Sequence, residues 1–324
     1  MNRHAELASA LAALRAGEVI GLPTETVYGL AADARNAAAV AKIFALKGRP
    51  ADHPLIVHVA DVQCLGDWAR EIPESARLLA DAFWPGPLTM ILQKRVDVPA
   101  VVTGGQDTVG LRCPAHPLAL ELLRAFSGGL AAPSANRFGH ISPTSARHVR
   151  DEFGVAVPIV LDGGDCDVGI ESTIIELSGA MPRILRPGQI RVEQIEALIG
   201  SVALGSDTSS PRASGTLEKH YAPRTATQLQ SRALVEVNAR EQDALGKRVL
   251  VLALGQLPTG CEGIALPDQA QAYAHGLYAA LRELDVRHAH LLLVEQPPEG
   301  KDWDAVQDRL RRSAAGAGAD GEAT

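Results

Sequence analysis

The sequence predicts an α/β protein, an open twisted mixed sheet followed by a small βαβ-type C-terminal domain. Apolar runs of strand length alternate with helical periodicities through the first two hundred residues. Many of those runs are joined by turns too short for a crossover helix, so the sheet is mixed, not purely parallel. Composition then shifts at residues 200–216, rich in Ser, Gly and Thr, and a strand–helix–strand–helix order begins beyond it.

Leu7, Leu11 and Leu14 recur at helical spacing and Gly17 supplies a stop, so the chain opens on a helix. Glu6 and the missing cleavage site argue against a signal peptide. EVIGL (18–22) follows as a strand, Val40, Ile43, Phe44 and Lys47 mark a second helix, and PLIVHV (54–59) a second strand. Further strands are expected in GPLTMIL, TVGLRCP, GLAAP, VPIVLDGG, STIIEL and PRILRPG, with helices over 117–126, 144–151 and 192–199. RVLVLALG, QAYAHGLYAALREL, AHLLLVEQP and DAVQDRLRRSA form the second domain. The expected boundaries are 1–200 for the first domain, 201–225 for an exposed linker or lid, 226–315 for the second domain and 316–324 for a disordered tail.

At 324 residues with 46% hydrophobic and 21% charged residues, the chain suits a soluble two-domain protein. A net charge of -7 argues against a broad nucleic-acid-binding face, though it allows a local basic cleft. The absence of an 18-residue uncharged apolar run argues against a membrane span. Cys64, Cys113, Cys166 and Cys261 lack any C-x-x-C spacing, so they read as buried small residues in a cytoplasmic protein.

Chemistry concentrates in residues 21–58, at strand and helix ends, where ligands of open α/β folds sit. Thr24 and Thr26 straddle Glu25 in a hydroxyl-rich turn. Lys47 and Arg49, two apart, can face one anion if extended; anion binding and a solvated basic turn both remain open. His53 lies in the same loop, and His58 ends an apolar strand. Thr108 and Arg112, four apart in a strand, share a face, and a buried Arg there needs an anionic partner. Ala132, Ser134 and Asn136 place one hydroxyl and one amide among small residues, which let a ligand approach the backbone. No G-x-S-x-G surrounds Ser134, so a Ser–His hydrolase is disfavoured. Residues 162–165 (Asp-Gly-Gly-Asp) read as a turn before a metal loop. Tyr28 reads as packing, and Tyr221 beside His220 could close over a ligand.

PTETVYGL, KGRP, PLIVHV, SAN, EST, LRPG and HYAP, in that order, resemble the L-threonylcarbamoyladenylate synthases of the YrdC/TsaC type. The likeness runs from about residue 17 to 223 and continues more weakly to about 315. It implies a YrdC-like fold and an enzyme that condenses L-threonine, bicarbonate and ATP with release of pyrophosphate. The product would feed tRNA threonylcarbamoyl-transfer proteins that modify tRNA adenosine. The resemblance assigns Lys47, Arg49, Ser134 and Asn136 to the catalytic cluster. It assigns Arg49, His53, Thr108, Ser134, Arg186 and Tyr221 to ATP, and Thr26, His58, Arg112, Ala132 and Ser172 to threonine. Mg²⁺ would come with the nucleotide, without direct protein ligands. The resemblance departs at residues 210–218 and at Asp308, where an Asn-containing run is usual. Two alternatives stand beside it: an RNA-binding module without this turnover, and a carbamoyl-transfer module of the hydrogenase-maturation kind. The latter carries zinc-finger-type cysteine pairs that this chain lacks.

Overall fold

The computed structural model describes residues 3–208 and 210–318, so part of the expected tail, residues 319–324, lies outside the described residues. The chain divides into two compact units, and the division is not collinear with the sequence. The first comprises Met1–Phe138, Pro143–Asp167 and Glu171–Thr216; the second comprises Gly139–Ser142, Val168–Ile170 and Leu217–Thr324. Residues 205–216 therefore pack with the first unit and 217–225 with the second.

In the first unit, nine strands form one sheet: β1 (Ile20–Leu22), β2 (Gly29–Asp33), β3 (Ile56–His58), β4 (Leu88–Gln93), β5 (Thr108–Arg112), β6 (Leu130–Ala131), β7 (Thr173–Glu176), β8 (Arg183–Arg186) and β9 (Ala203–Leu204). Their order is β1-β2-β6-β3-β5-β4-β7-β8-β9. Pairs β3/β5, β4/β7 and β8/β9 are parallel and the rest antiparallel, which is the mixed sheet the short turns predict. The helices are α1 (Arg3–Arg15), α2 (Ala37–Lys47), α3 (Leu65–Trp68), α4 (Glu74–Phe83), α5 (Ala100–Thr103), α6 (Pro117–Phe126), α7 (Ala146–Phe153) and α8 (Val192–Ile199).

One expectation fails here. VPIVLDGG is no strand: Gly21 exchanges backbone bonds with Ile159 and Leu161, because the three-residue β1 offers little to pair with. GLAAD, which carries no assignment from the sequence, is strand β2; its small residues hid the pattern. In the run expected as an exposed linker, residues 204–208 are exposed, while β9 lies within it and Ala213 packs on apolar residues of the sheet.

Strand alternation decides what each sheet face does. Val57, Met90, Leu92, Val109, Leu111 and Ile175 feed the main core beneath the helices. Their neighbours Ile56, His58, Thr89, Ile91, Gly110, Arg112 and Ile174 occupy the opposite face, where Ile91, Ile174, Leu185, Ile56 and Ala213 form a small apolar patch. That second face is part polar, and it forms the floor of the site.

The second unit has four parallel strands, β10 (Thr227–Gln230), β11 (Val249–Leu254), β12 (Gly263–Leu266) and β13 (Leu291–Glu295), in the order β10-β13-β11-β12. Its helices are α9 (Arg232–Ala244), α10 (Ala270–Asp285) and α11 (Asp304–Gly316). The sequence reading finds β11, α10, β13 and α11 and misses β10, α9 and β12, which carry fewer apolar residues. No helix among the described residues is long and apolar enough to cross a membrane. Cys113 and Cys166 are buried, whereas Cys64 and Cys261 are only partly so, and all four are free.

Gly188 of the LRPG run presses directly on the chain before β7. A Cβ there would lie 2.4 Å from the Thr173 nitrogen and 2.7 Å from the Ser172 carbonyl carbon. Gly188→Ala should therefore lower the urea-unfolding free energy by about 1–3 kcal/mol through overpacking; an unchanged midpoint would show that the contact is soft.

Candidate active site

Two clusters of buried polar side chains lie in the first unit. One begins at the end of α2. Asn36 caps that helix at its start, accepting from the Ala38 and Ala39 N–H groups, and Gly48 ends it in the left-handed region at φ 63°. Lys47 is thus a helical residue, not part of an extended pair with Arg49. Its ammonium donates to the Ser134 and Asn136 carbonyls, 2.5 Å from each, and the Phe138 N–H returns to the Lys47 carbonyl at 2.7 Å. The SAN run is thereby pinned to α2. Burial, and then the adjacent charge of Arg49, push the Lys47 ammonium well below its ordinary pKa.

Past the left-handed turn, Arg49 donates to the Pro54 carbonyl at 3.0 Å and to the Ser214 hydroxyl at 3.3 Å. Its guanidinium lies 5.8 Å from the centroid of Phe138, which His53 meets edge-on at 5.3 Å. Burial and the Arg49 charge lower the His53 pKa. Arg186, at the end of β8, donates to the Ser172 carbonyl at 3.0 Å, the Ser172 hydroxyl at 3.1 Å and the Ser214 carbonyl at 2.9 Å. Ser214 therefore stands between Arg49 and Arg186. It is held there by its own bond to the Pro54 carbonyl at 2.8 Å and by Arg212, which donates to the Asp52 and Gly104 carbonyls at 3.2 and 2.8 Å.

The second cluster centres on Arg112. Its Nη1 donates to the Thr26 hydroxyl at 2.7 Å, its Nε to the Gly86 carbonyl at 3.3 Å, and its Nη2 pairs with Glu25 at 2.6 Å. Both partners of the pair are nearly fully buried. Glu25 also accepts from the Ala115 N–H at 3.0 Å, and Thr24 accepts from the Thr26 and Val27 N–H groups, both at 3.2 Å, closing the turn. His58 is the direct neighbour of Arg112 across β3 and β5. Burial, reinforced by the Arg112 charge, lowers its pKa from 6.5 to about 3, so it stays neutral. Ala132 donates its N–H to the Ile56 carbonyl at 3.1 Å. Ser172, before β7, shares a 2.8 Å hydrogen bond with Thr89. Gly110 lies between Thr108 and Arg112 on the same face, with the Ile56 and Thr89 side chains beside it.

His58, Arg112 and Arg186 are the last residues of β3, β5 and β8, and Lys47 is the last of α2, so these candidates lie at strand and helix ends; alternation puts Thr108 on the same face as Arg112. Three residues absent from the sequence reading of the site belong to it: Glu25, Ser214 and Thr89. Glu25 was signalled by the need of a buried Arg for an anion; Ser214 had no local signal. Tyr28 is more than packing, since its hydroxyl donates to the Gly164 carbonyl at 2.7 Å and accepts from the Gly163 N–H at 3.0 Å. It clamps the turn at 162–165, which Asp162 closes by accepting from the Gly164 N–H at 3.2 Å. Among the described residues no group of three or more His, Cys, Asp or Glu could hold a metal ion. Tyr221 lies in the second unit with its ring buried.

Comparison with known proteins places the chain. A family model for Sua5, YciO and YrdC proteins, described as "Telomere recombination", matches residues 12–188. The chain belongs to the Sua5/YciO/YrdC family. A second model, the C-terminal domain of threonylcarbamoyl-AMP synthase, matches residues 190–315. The threonylcarbamoyl-AMP synthase of Pyrococcus abyssi is 40% identical over 93% of this chain and 92% of its own length. That of Bacillus subtilis is 39% identical over 96% and 93%. The crystal structure of Pyrococcus abyssi Sua5 complexed with L-threonine matches with a TM-score of 0.91 at 38% identity, covering 98% of this chain and 96% of that one. Two-domain members of the Sua5/YciO/YrdC family therefore share both units.

The neutral His58 gives a prediction with a definite sign. Between pH 6.5 and about 3 the unfolded chain binds a proton at this position that the folded chain refuses. Stability is unaffected above pH 6.5 and is lost as pH falls through that window. His58→Gln should flatten the fall in urea midpoint from pH 6.5 to 4; parallel curves for the two proteins would place the acid sensitivity elsewhere.

Proposed function

We infer that the chain makes threonylcarbamoyl-AMP from L-threonine, bicarbonate and ATP, releasing pyrophosphate. The observation that supports the site assignment is the gathering of four buried cations, Arg112 beside Glu25 and Thr26, and Lys47, Arg49 and Arg186 around the SAN run, Ser172 and Ser214. Arg112, whose charge Glu25 offsets, suits a zwitterionic amino acid, whereas Lys47, Arg49 and Arg186 suit a triphosphate.

The residues divide the work as follows. Thr26, His58, Arg112, Ala132 and Ser172 hold threonine, with neutral His58 as a hydrogen-bonding group and the Ala132 backbone lining the amino-acid end. The amine condenses with bicarbonate, losing water, to a carbamate. A carbamate oxygen then attacks the α-phosphorus as the bond to the pyrophosphate oxygen breaks. No side-chain nucleophile takes part; positioning and charge stabilisation carry the step. Arg49, Lys47 and Arg186, with Ser134, Asn136, His53 and Thr108, meet the nucleotide. The Ser214 hydroxyl and carbonyl act as neutral acceptors that phosphate oxygens displace, because charge-assisted bonds are roughly twice as strong. Tyr221 enters this reading by resemblance alone. Mg²⁺ is taken to arrive on the triphosphate. On this reading the product passes to tRNA threonylcarbamoyl-transfer proteins, and the reaction is taken to be cytoplasmic.

The assay is pyrophosphate release with ATP, bicarbonate and single amino acids. Turnover should require both threonine and bicarbonate. RNA affinity that falls with salt, without such turnover, would favour the RNA-binding reading instead. Arg49→Ala should cut kcat/KM by roughly ten- to a hundredfold while the far-UV circular dichroism is kept, since a hydrogen bond to a charged group is worth about 1.5–3 kcal/mol. Threonine should exceed serine by roughly ten- to two-hundredfold in kcat/KM, the discrimination one methyl group allows. Equal rates would remove the fitted niche at Ala132.

A further inference from the structure

Tyr221 has φ 61°, in the left-handed region that aromatic residues rarely adopt, and its surroundings over-determine that conformation. Within the second unit its ring is 1% exposed, meets His220 edge-on at 4.1 Å and lies 5.6 Å from Tyr278. The Arg309 guanidinium lies 5.5 Å from the Tyr221 centroid. Arg309, 0% exposed, pairs with Asp308 at 2.8 Å. Asp308 also accepts from Arg312 Nε at 3.0 and 3.1 Å and from Arg311 at 3.1 Å. The same helix touches the segment twice more: the His220 N–H donates to the Arg312 carbonyl at 3.3 Å, and the Arg312 guanidinium donates to the Leu217 carbonyl. Gly316 keeps α11 close, since a Cβ there would lie 2.9 Å from that of Ala222.

We propose that Asp308, Arg309 and Arg312 of α11 are the positioning residues of the HYAP segment, with the Arg309 guanidinium under Tyr221 as its anchor. A buried ion pair is a poor way to add stability, because apolar residues of the same volume do as well or better. Its use here fits a demand for one geometry of residues 217–222. Leu217 follows Thr216 directly in the chain, so freeing 217–222 also frees the C-terminal end of the run that carries Ser214. The kinetic half of the test rests on the reading of Ser214 given above.

The full-length chain carrying Arg309→Met, which keeps bulk and loses charge, is compared with Arg309→Lys and with wild type. Amide hydrogen exchange is read over residues 217–222 and over β11, and kcat and the KM for ATP are measured separately. Arg309→Met should speed exchange over 217–222 by about tenfold while β11 stays protected, and Arg309→Lys should restore part of the protection. The KM for ATP should rise by about tenfold with kcat nearly unchanged. Native exchange over 217–222 in Arg309→Met, with β11 intact, overturns the anchor. If that variant loses β11 protection as well, Asp308→Asn, nearly identical in volume, is judged by the same two segments. Faster exchange with an unchanged KM supports the anchor and removes Ser214 from the nucleotide site, so the two readings fail separately.

Discussion

Burying positive charge on a sheet face is the constraint from which the rest of the first unit follows. Lys47, Arg49, Arg112 and Arg186 are each less than a tenth exposed. Water no longer solvates them, so each needs substitutes. Arg112 takes a carboxylate from the turn before β2, which forces Glu25 inward and fixes Thr26 beside it. Lys47 takes two carbonyls, which forces the SAN run to fold back onto the end of α2. Arg186 takes Ser172 and Ser214. The loops of the site are thus shaped by the cations they solvate.

Much of this was legible in the sequence, and the exceptions have physical reasons. PLIVHV and TVGLR announce their strands because β-branched and apolar residues alternate with His58, Gly110 and Arg112. The two strands pair in a register that aligns His58 with Arg112, as far as periodicity could hint. GLAAD gave no such hint, since Ala and Gly look alike in strand and loop. β12 suffered likewise from its short length. Lys47 ends α2, as the helical spacing of Val40, Ile43, Phe44 and Lys47 suggests, and Gly48 in the left-handed region turns the chain before Arg49, so the two cations do not share an extended segment.

Ser214 lay beyond any local reading. Its partners Arg49 and Arg186 are 165 and 28 residues away, and the run around it carries the composition of a free linker. Serine and glycine supply short polar groups that can follow a groove closely, so the same composition that signals flexibility also suits a segment laid across a binding floor. Packing of the half-buried Ala213 on the patch of Ile91, Ile174 and Leu185 decides between the two here. The sheet face chosen for the site follows the same logic, since alternation alone cannot say which face the helices will cover.

The second unit is assembled from three separated stretches of chain, and this bears on the order in which the protein comes into being. Gly139–Ser142 and Val168–Ile170 emerge during synthesis well before Leu217–Thr324, the stretch they pack with. Ile141 and Ile170 are 3% and 2% exposed in the finished molecule, and Gly169 lies against the Ala274 and His275 backbone of α10. Arg282, on α10, donates to the Ile141 and Ser142 carbonyls. Completion of the second unit is therefore postponed until α10 has left the exit tunnel, long after its first two stretches have been made.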